Sequence, residues 1–92
     1  DGEVIRLIVP PLTQERREEF VKLAKTKTEG VRIMIRQIRQ EGVNKIRDQF
    51  TNKTITEDQK FNFEKEIQDE TDKKIERADE LLESKVVELT TV

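Results

Sequence analysis

At 92 residues, with 41% charged and only 33% hydrophobic residues, the chain suffices for one domain but carries little apolar material for a compact globule. With no Cys and no His in this sequence, disulfide frameworks, thiolate zinc sites, thiol nucleophiles and imidazole acid–base chemistry are excluded. The net charge of −2 conceals a division: residues 13–50 carry +4 and residues 51–92 carry −5, as expected of two helices with different exposed faces, one able to meet a polyanion.

Nothing in residues 1–12 resembles a signal peptide, because Asp1 and Glu3 open the sequence and the run Leu7-Ile8-Val9 stops at Pro10. No apolar stretch approaches the roughly 20 residues of a membrane span. The expectation is a soluble intracellular helical protein. Glu3 to Val9 is β-branched and roughly alternating, so it reads as one short β-strand. A lone strand has nothing to pair with, which suggests that the sequence begins partway through a domain. Pro10 and Pro11 end it, and Leu12 precedes Thr13, a good helix N-cap with Leu12 as its hydrophobic staple.

The first helix is expected from about Gln14 to about Phe50, with Phe20, Ala24, Val31, Ile35, Ile38 and Ile46 at three-to-four spacing and Met34 at the margin. Such a helix would be roughly 55 Å long. Gly30 and Gly42 lie inside it, each costing up to about 1 kcal/mol relative to Ala. Gly42 falls on the apolar face, where close packing by another helix would account for it; nothing in the pattern accounts for Gly30. Residues 51–55 are polar and turn-like, and Thr56-Glu57-Asp58-Gln59 fits a capping box with acidic residues at the positive helix end. A second helix follows to about Leu89, with Ile67, Thr71, Ile75, Ala78, Leu82 and Leu89 on one stripe. Two long helices with a short connection predict an all-α, antiparallel helical hairpin.

The first helix also carries a basic stripe: Lys25, Arg36, Arg39 and Arg47 all fall within about 60° of Arg32 on a helical wheel. The apolar residues Phe20, Val31 and Ile38 centre about 110° to one side, so the stripe is expected to face away from the core seam. Arginine suits phosphate, being planar, forked and always charged. On pattern alone two readings stand: a solvated face with Glu29 and Glu41 supplying ion pairs, or a phosphate-binding face. Without interleaved aromatics, stacking on single-stranded bases is disfavoured and structured RNA is the better target. The carboxylates of the second helix (Glu64, Glu66, Asp69, Glu70, Asp72, Glu76, Asp79, Glu80 and Glu83) could form a metal site or an acid–base pair. They lack the His of bundle metal sites, and Lys65, Lys73, Lys74 and Arg77 are interspersed as on a solvated face. No catalytic residue, metal ligand or cofactor is expected. Arg16 and Arg17 sit unfavourably against the helix dipole, which favours a local function for them.

Several segments resemble the ribosome recycling factor family: D-G-E-V-I-R-L at residues 1–7, P-P-L-T-Q-E-R-R at 10–17, V-K-L-A-K at 21–25, I-R-Q-I-R-Q-E at 35–41, T-I-T-E-D at 54–58 and I-Q-D-E-T-D-K-K-I at 67–75. The proline-rich motif is the specific one; the helical segments are individually weak. The resemblance implies an L-shaped protein, a three-helix bundle with a small β domain inserted after its first helix. Residues 1–9 would be a remnant strand of that β domain, 10–13 a hinge at Pro10, Pro11 and Leu12, and 14–92 two of three bundle helices. The first helix and nearly all the β domain would lie outside this sequence.

The resemblance further implies a translation factor that binds the ribosome between its subunits and splits them with elongation factor G and GTP. Its place would be the bacterial cytoplasm or an organellar matrix or stroma. The family's two rRNA-contacting arginines fall on Arg36 and Arg39, and Arg17 matches a further basic position; where a third basic residue often follows, this sequence has Gln40. Together with Arg32 and Lys25 of the stripe, these are the expected rRNA-binding residues. A coiled-coil interaction module is the alternative, and self-association through an exposed bundle seam is a further expectation.

Overall fold

The structure is a computed structural model that describes residues 13–91. The expected strand and the hinge at Pro10, Pro11 and Leu12 lie outside the described residues. Two helices fill what is described: α1, Gln14–Thr51, and α2, Glu57–Thr90, packed as an antiparallel hairpin.

Both helices start where the sequence places their caps. The Thr13 backbone is extended, and its hydroxyl accepts from the Arg16 N–H at 3.1 Å, satisfying one of the orphan donors of the first turn. The capping box at α2 is complete: Gln59 N–H donates to Thr56 Oγ1 at 3.1 Å, and Thr56 N–H donates to Gln59 Oε1 at 2.9 Å. Between them α1 ends in a Schellman arrangement. Lys53 N–H donates to Phe50 O at 3.0 Å and Thr54 N–H to Gln49 O at 2.9 Å, with Lys53 in the left-handed region at φ 64°. The tip is further tied by Lys60, whose ammonium lies 5.4 Å from the Phe50 ring centre and 3.6 Å from Glu64.

The seam is narrow. On α2, all six residues of the expected stripe are shielded: Ile67, Ile75, Ala78, Leu82 and Leu89 are half-buried, and Thr71 is the single buried residue among those described. Thr71 spends its hydroxyl within its own helix, on Ile67 O at 2.6 Å, as Thr28 of α1 does on Ala24 O at 2.8 Å. Small residues let the helices approach. A Cβ at position 42 would overlap the terminal Cδ1 methyl of Ile67, so Gly42 lets that side chain lie directly against the α1 backbone. Gly30 faces open space.

On α1 the seam is rotated from its expected position. Phe20, Ala24, Ile35 and Ile46 are half-buried, but Val31 and Ile38 are exposed, and Val21, Thr28, Arg32, Arg39 and Val43 join the seam instead. The apolar residues of α1 spread over more of its circumference than one neighbouring helix covers. α2 takes one edge of that band, and the remainder stays open beside Leu81 and Phe63 of α2. No apolar side chain among the described residues is fully buried.

Candidate nucleic-acid interface

Because the seam is rotated, the basic stripe does not face away from it, as the spacing had suggested, but runs along its flank. Three of its arginines reach across to α2. Arg32 donates to Asp79 Oδ1 from Nε at 2.8 Å and from Nη2 at 2.5 Å, and from Nη1 to Glu29 Oε1 at 2.9 Å. Its side chain is only 22% exposed. The hydrogen bond to Asp79 first, and that to Glu29 second, hold the guanidinium above the ordinary arginine value. Arg39 Nη1 lies 3.5 Å from Gln68 Oε1, and Gln68 donates onward to Asp72 Oδ1 at 2.8 Å. Arg47 Nε stands 3.4 Å from Glu64 Oε2.

Arg36 makes no bond to α2. Its nearest charged partner is Glu29 Oε2 at 4.0 Å on its own helix, and its side chain is 50% exposed. Arg36 and Arg39 border one shallow groove of about 490 Å³, floored by Thr71 and Ile75 and walled on the far side by Asp72, Glu76, Asp79, Glu80 and Glu83. Phosphate can therefore approach the arginines from the α1 side only, because the α2 wall repels it. Lys25 is exposed nearer the start of α1, in a shallow groove with Lys22 and Arg17. The structure thus brings Arg32, Arg36 and Arg39 onto one flank, with Lys25 and Arg17 displaced towards the open end of the hairpin.

Arg17 has a structural task that periodicity alone does not reveal. Its Nη1 donates to Leu89 O at 3.0 Å and Thr91 O at 3.2 Å, at the C-terminus of α2. That last turn holds no basic residue of its own, and its carbonyls carry the negative end of the helix dipole. An antiparallel hairpin sets the start of α1 beside this end, so a cation misplaced on its own helix is well placed for its neighbour. Arg16 pairs with Glu19 at 3.6 Å and covers the Phe20 ring at 5.6 Å.

The opposite flank has different chemistry. Phe20, Leu23, Ala24, Leu81, Leu82 and Leu89 line an open apolar groove of about 510 Å³ with the stems of Lys27 and Lys85. Ile35, Ile38 and Ile67, then Ile46 and Phe63, continue the apolar surface along the hairpin. Among the described residues no helix is long and apolar enough to cross a membrane, and no three acidic side chains are grouped to hold a metal ion.

A model of the ribosome recycling factor family matches residues 1–89. The chain is 47% identical over 92 residues to a ribosome-recycling factor of Carboxydothermus hydrogenoformans, covering 100% of this chain and 50% of that protein. Over the same coverage it is 47% identical to one from Synechocystis and 48% to one from Acetivibrio thermocellus. The chain spans about half the length of the curated relatives it matches.

Proposed function

The chain belongs to the ribosome recycling factor family, and from that membership we propose that it acts in ribosome recycling by docking on large-subunit rRNA at the subunit interface, with elongation factor G as its partner. The observation that carries the docking surface is the pair Arg36 and Arg39, one turn apart at the rim of a single groove. Each offers a planar fork to phosphate oxygens. Contact through phosphates requires no base stacking, in keeping with a flank that has no aromatic residue at the groove. In this reading the chain breaks no bond; GTP hydrolysis belongs to elongation factor G. Its place of action is the bacterial cytoplasm or an organellar matrix or stroma.

The apolar flank supports a companion reading. A third helix of the bundle seats along Leu23, Ile38, Leu81 and Phe63, making the hairpin a rigid lever. Where that helix does not cover it, the flank is a surface for self-association.

Replacing Arg36 and Arg39 together by Ala tests the docking surface. Charge-assisted hydrogen bonds contribute about 1.5–3 kcal/mol each, so ribosome affinity at near-physiological salt should fall at least tenfold while helicity and melting temperature hold. Unaltered affinity would remove the assignment. Salt separates the rRNA reading from a pure coiled-coil interaction module: phosphate contacts make log K fall steeply with log salt, whereas an apolar seam is far less sensitive.

A further inference from the structure

We infer that Arg32 is a positioning residue and not a phosphate ligand: clasped between Asp79 and Glu29, it fixes Glu29 so that the carboxylate orients Arg36 for the phosphate backbone. The inference rests on the rRNA-docking reading above and deepens it by dividing the basic stripe into residues that touch RNA and residues that hold them.

Three nitrogens of the Arg32 guanidinium are engaged, Nε and Nη2 on Asp79 Oδ1 and Nη1 on Glu29 Oε1. Two carboxylates against one cation leave no net positive charge at this point. A phosphate arriving there would have to displace a carboxylate and would release no condensed counterion, which is the main source of affinity for a polyanion. Arg36, one turn along, is the opposite case: half-exposed, with no partner on α2.

Glu29 connects the two. Its Oε1 accepts from Arg32, and its Oε2 faces Arg36 Nη1 at 4.0 Å. With one oxygen held by a residue that is itself anchored on α2, the other becomes a fixed point on one side of Arg36. Nη1 is the Arg36 atom nearest that carboxylate, which leaves the other donors of the guanidinium for phosphate. An arginine side chain free to sample its rotamers must be ordered on binding, a cost that a preset orientation reduces. Arg47, paired with Glu64 nearer the tip, is another tie between the helices and lies beyond the Arg36 groove.

The test is the salt dependence of binding to large ribosomal subunits, in the full chain, for charge-neutral replacements of the pair. Arg32→Gln with Asp79→Asn is the first, and Arg32→Met with Asp79→Leu is the second should the first fail to fold. Arg36→Ala is the reference for a lost phosphate contact. Binding is measured well below the lowest melting temperature, so that a loss of stability alone does not register. Arg36→Ala should flatten the slope of log K against log salt by roughly 0.7–0.9, the value of one phosphate contact. The charge-neutral pair should lower affinity several-fold at every salt concentration and leave the slope unchanged. A slope flattened as in Arg36→Ala would make Arg32 a phosphate ligand and overturn the inference. Wild-type affinity and slope together would reduce the pair to a helix tie and overturn it equally. If Arg36→Ala itself changes nothing, the docking reading fails, and the two failures are told apart.

Discussion

On one side of the seam, Leu23, Met34, Ile38 and Leu81 stand about half exposed or more; on the other, Arg32, Arg39 and Arg47 each reach across to α2. The polar flank is tied across the seam at these three arginines, with Arg36 left open between them. Its cross-helix contacts are surface interactions of a kind that contributes little to stability, but they couple particular residues 47 and 29 positions apart and so discriminate one register of α1 against α2 from its neighbours. The apolar flank has no such internal solution. Burying it is worth about 25 cal/mol per Å², which is what favours the covering helix proposed above. Register is set on one flank and the drive for assembly resides on the other.

The largest expected effect lies on the apolar flank. Placing charge there with Ile38→Asp and Leu81→Asp should abolish association of the 92-residue chain with itself, at a cost of roughly 1.5–3 kcal/mol for each side chain whose burial is lost. Helicity of the hairpin should change little, because both side chains are already exposed in it. Sedimentation equilibrium before and after substitution is the check, and a wild-type chain that is strictly monomeric and melts cooperatively would break the comparison.

The two glycines of α1 give a smaller and more local contrast. Gly42→Ala sets a Cβ against Ile67 Cδ1, so that the methyl must turn aside, and should destabilise the hairpin by about 1 kcal/mol, the low end of the range for overpacking. Gly30→Ala meets nothing and should stabilise it by up to about 1 kcal/mol through helix propensity. Thermal melts of the two variants should move in opposite directions; a shift of the same sign in both would mean that α2 does not approach α1 at Gly42 as described.

Much of this was legible in the sequence because it depends on local spacing. The caps at Thr13 and Thr56, the stripe of α2 and the close approach at Gly42 all follow from residues within a few positions of one another. The seam on α1 was not, because Val31 and Ile38 belong to an apolar band wider than one partner covers, and periodicity gives the centre of a band, not the edge a neighbour takes. The partner of Arg32 was hidden for a related reason. Asp79 is one of many carboxylates on α2, and only the register of the two helices selects it. Arg17 could have been found: two arginines in the first turn of α1, with no basic residue in the last turn of α2, already suggest that one helix caps the other once they are antiparallel.

The most direct test of the division between flanks is site-specific photo-crosslinking of the full chain bound to large ribosomal subunits. One crosslinking side chain replaces Gln40, one turn beyond Arg36 on the polar side, and another replaces Met34, on the apolar side; both positions are exposed. Position 40 should give rRNA adducts and position 34 protein adducts alone. Adducts to rRNA from position 34, with none from position 40, would contradict that division.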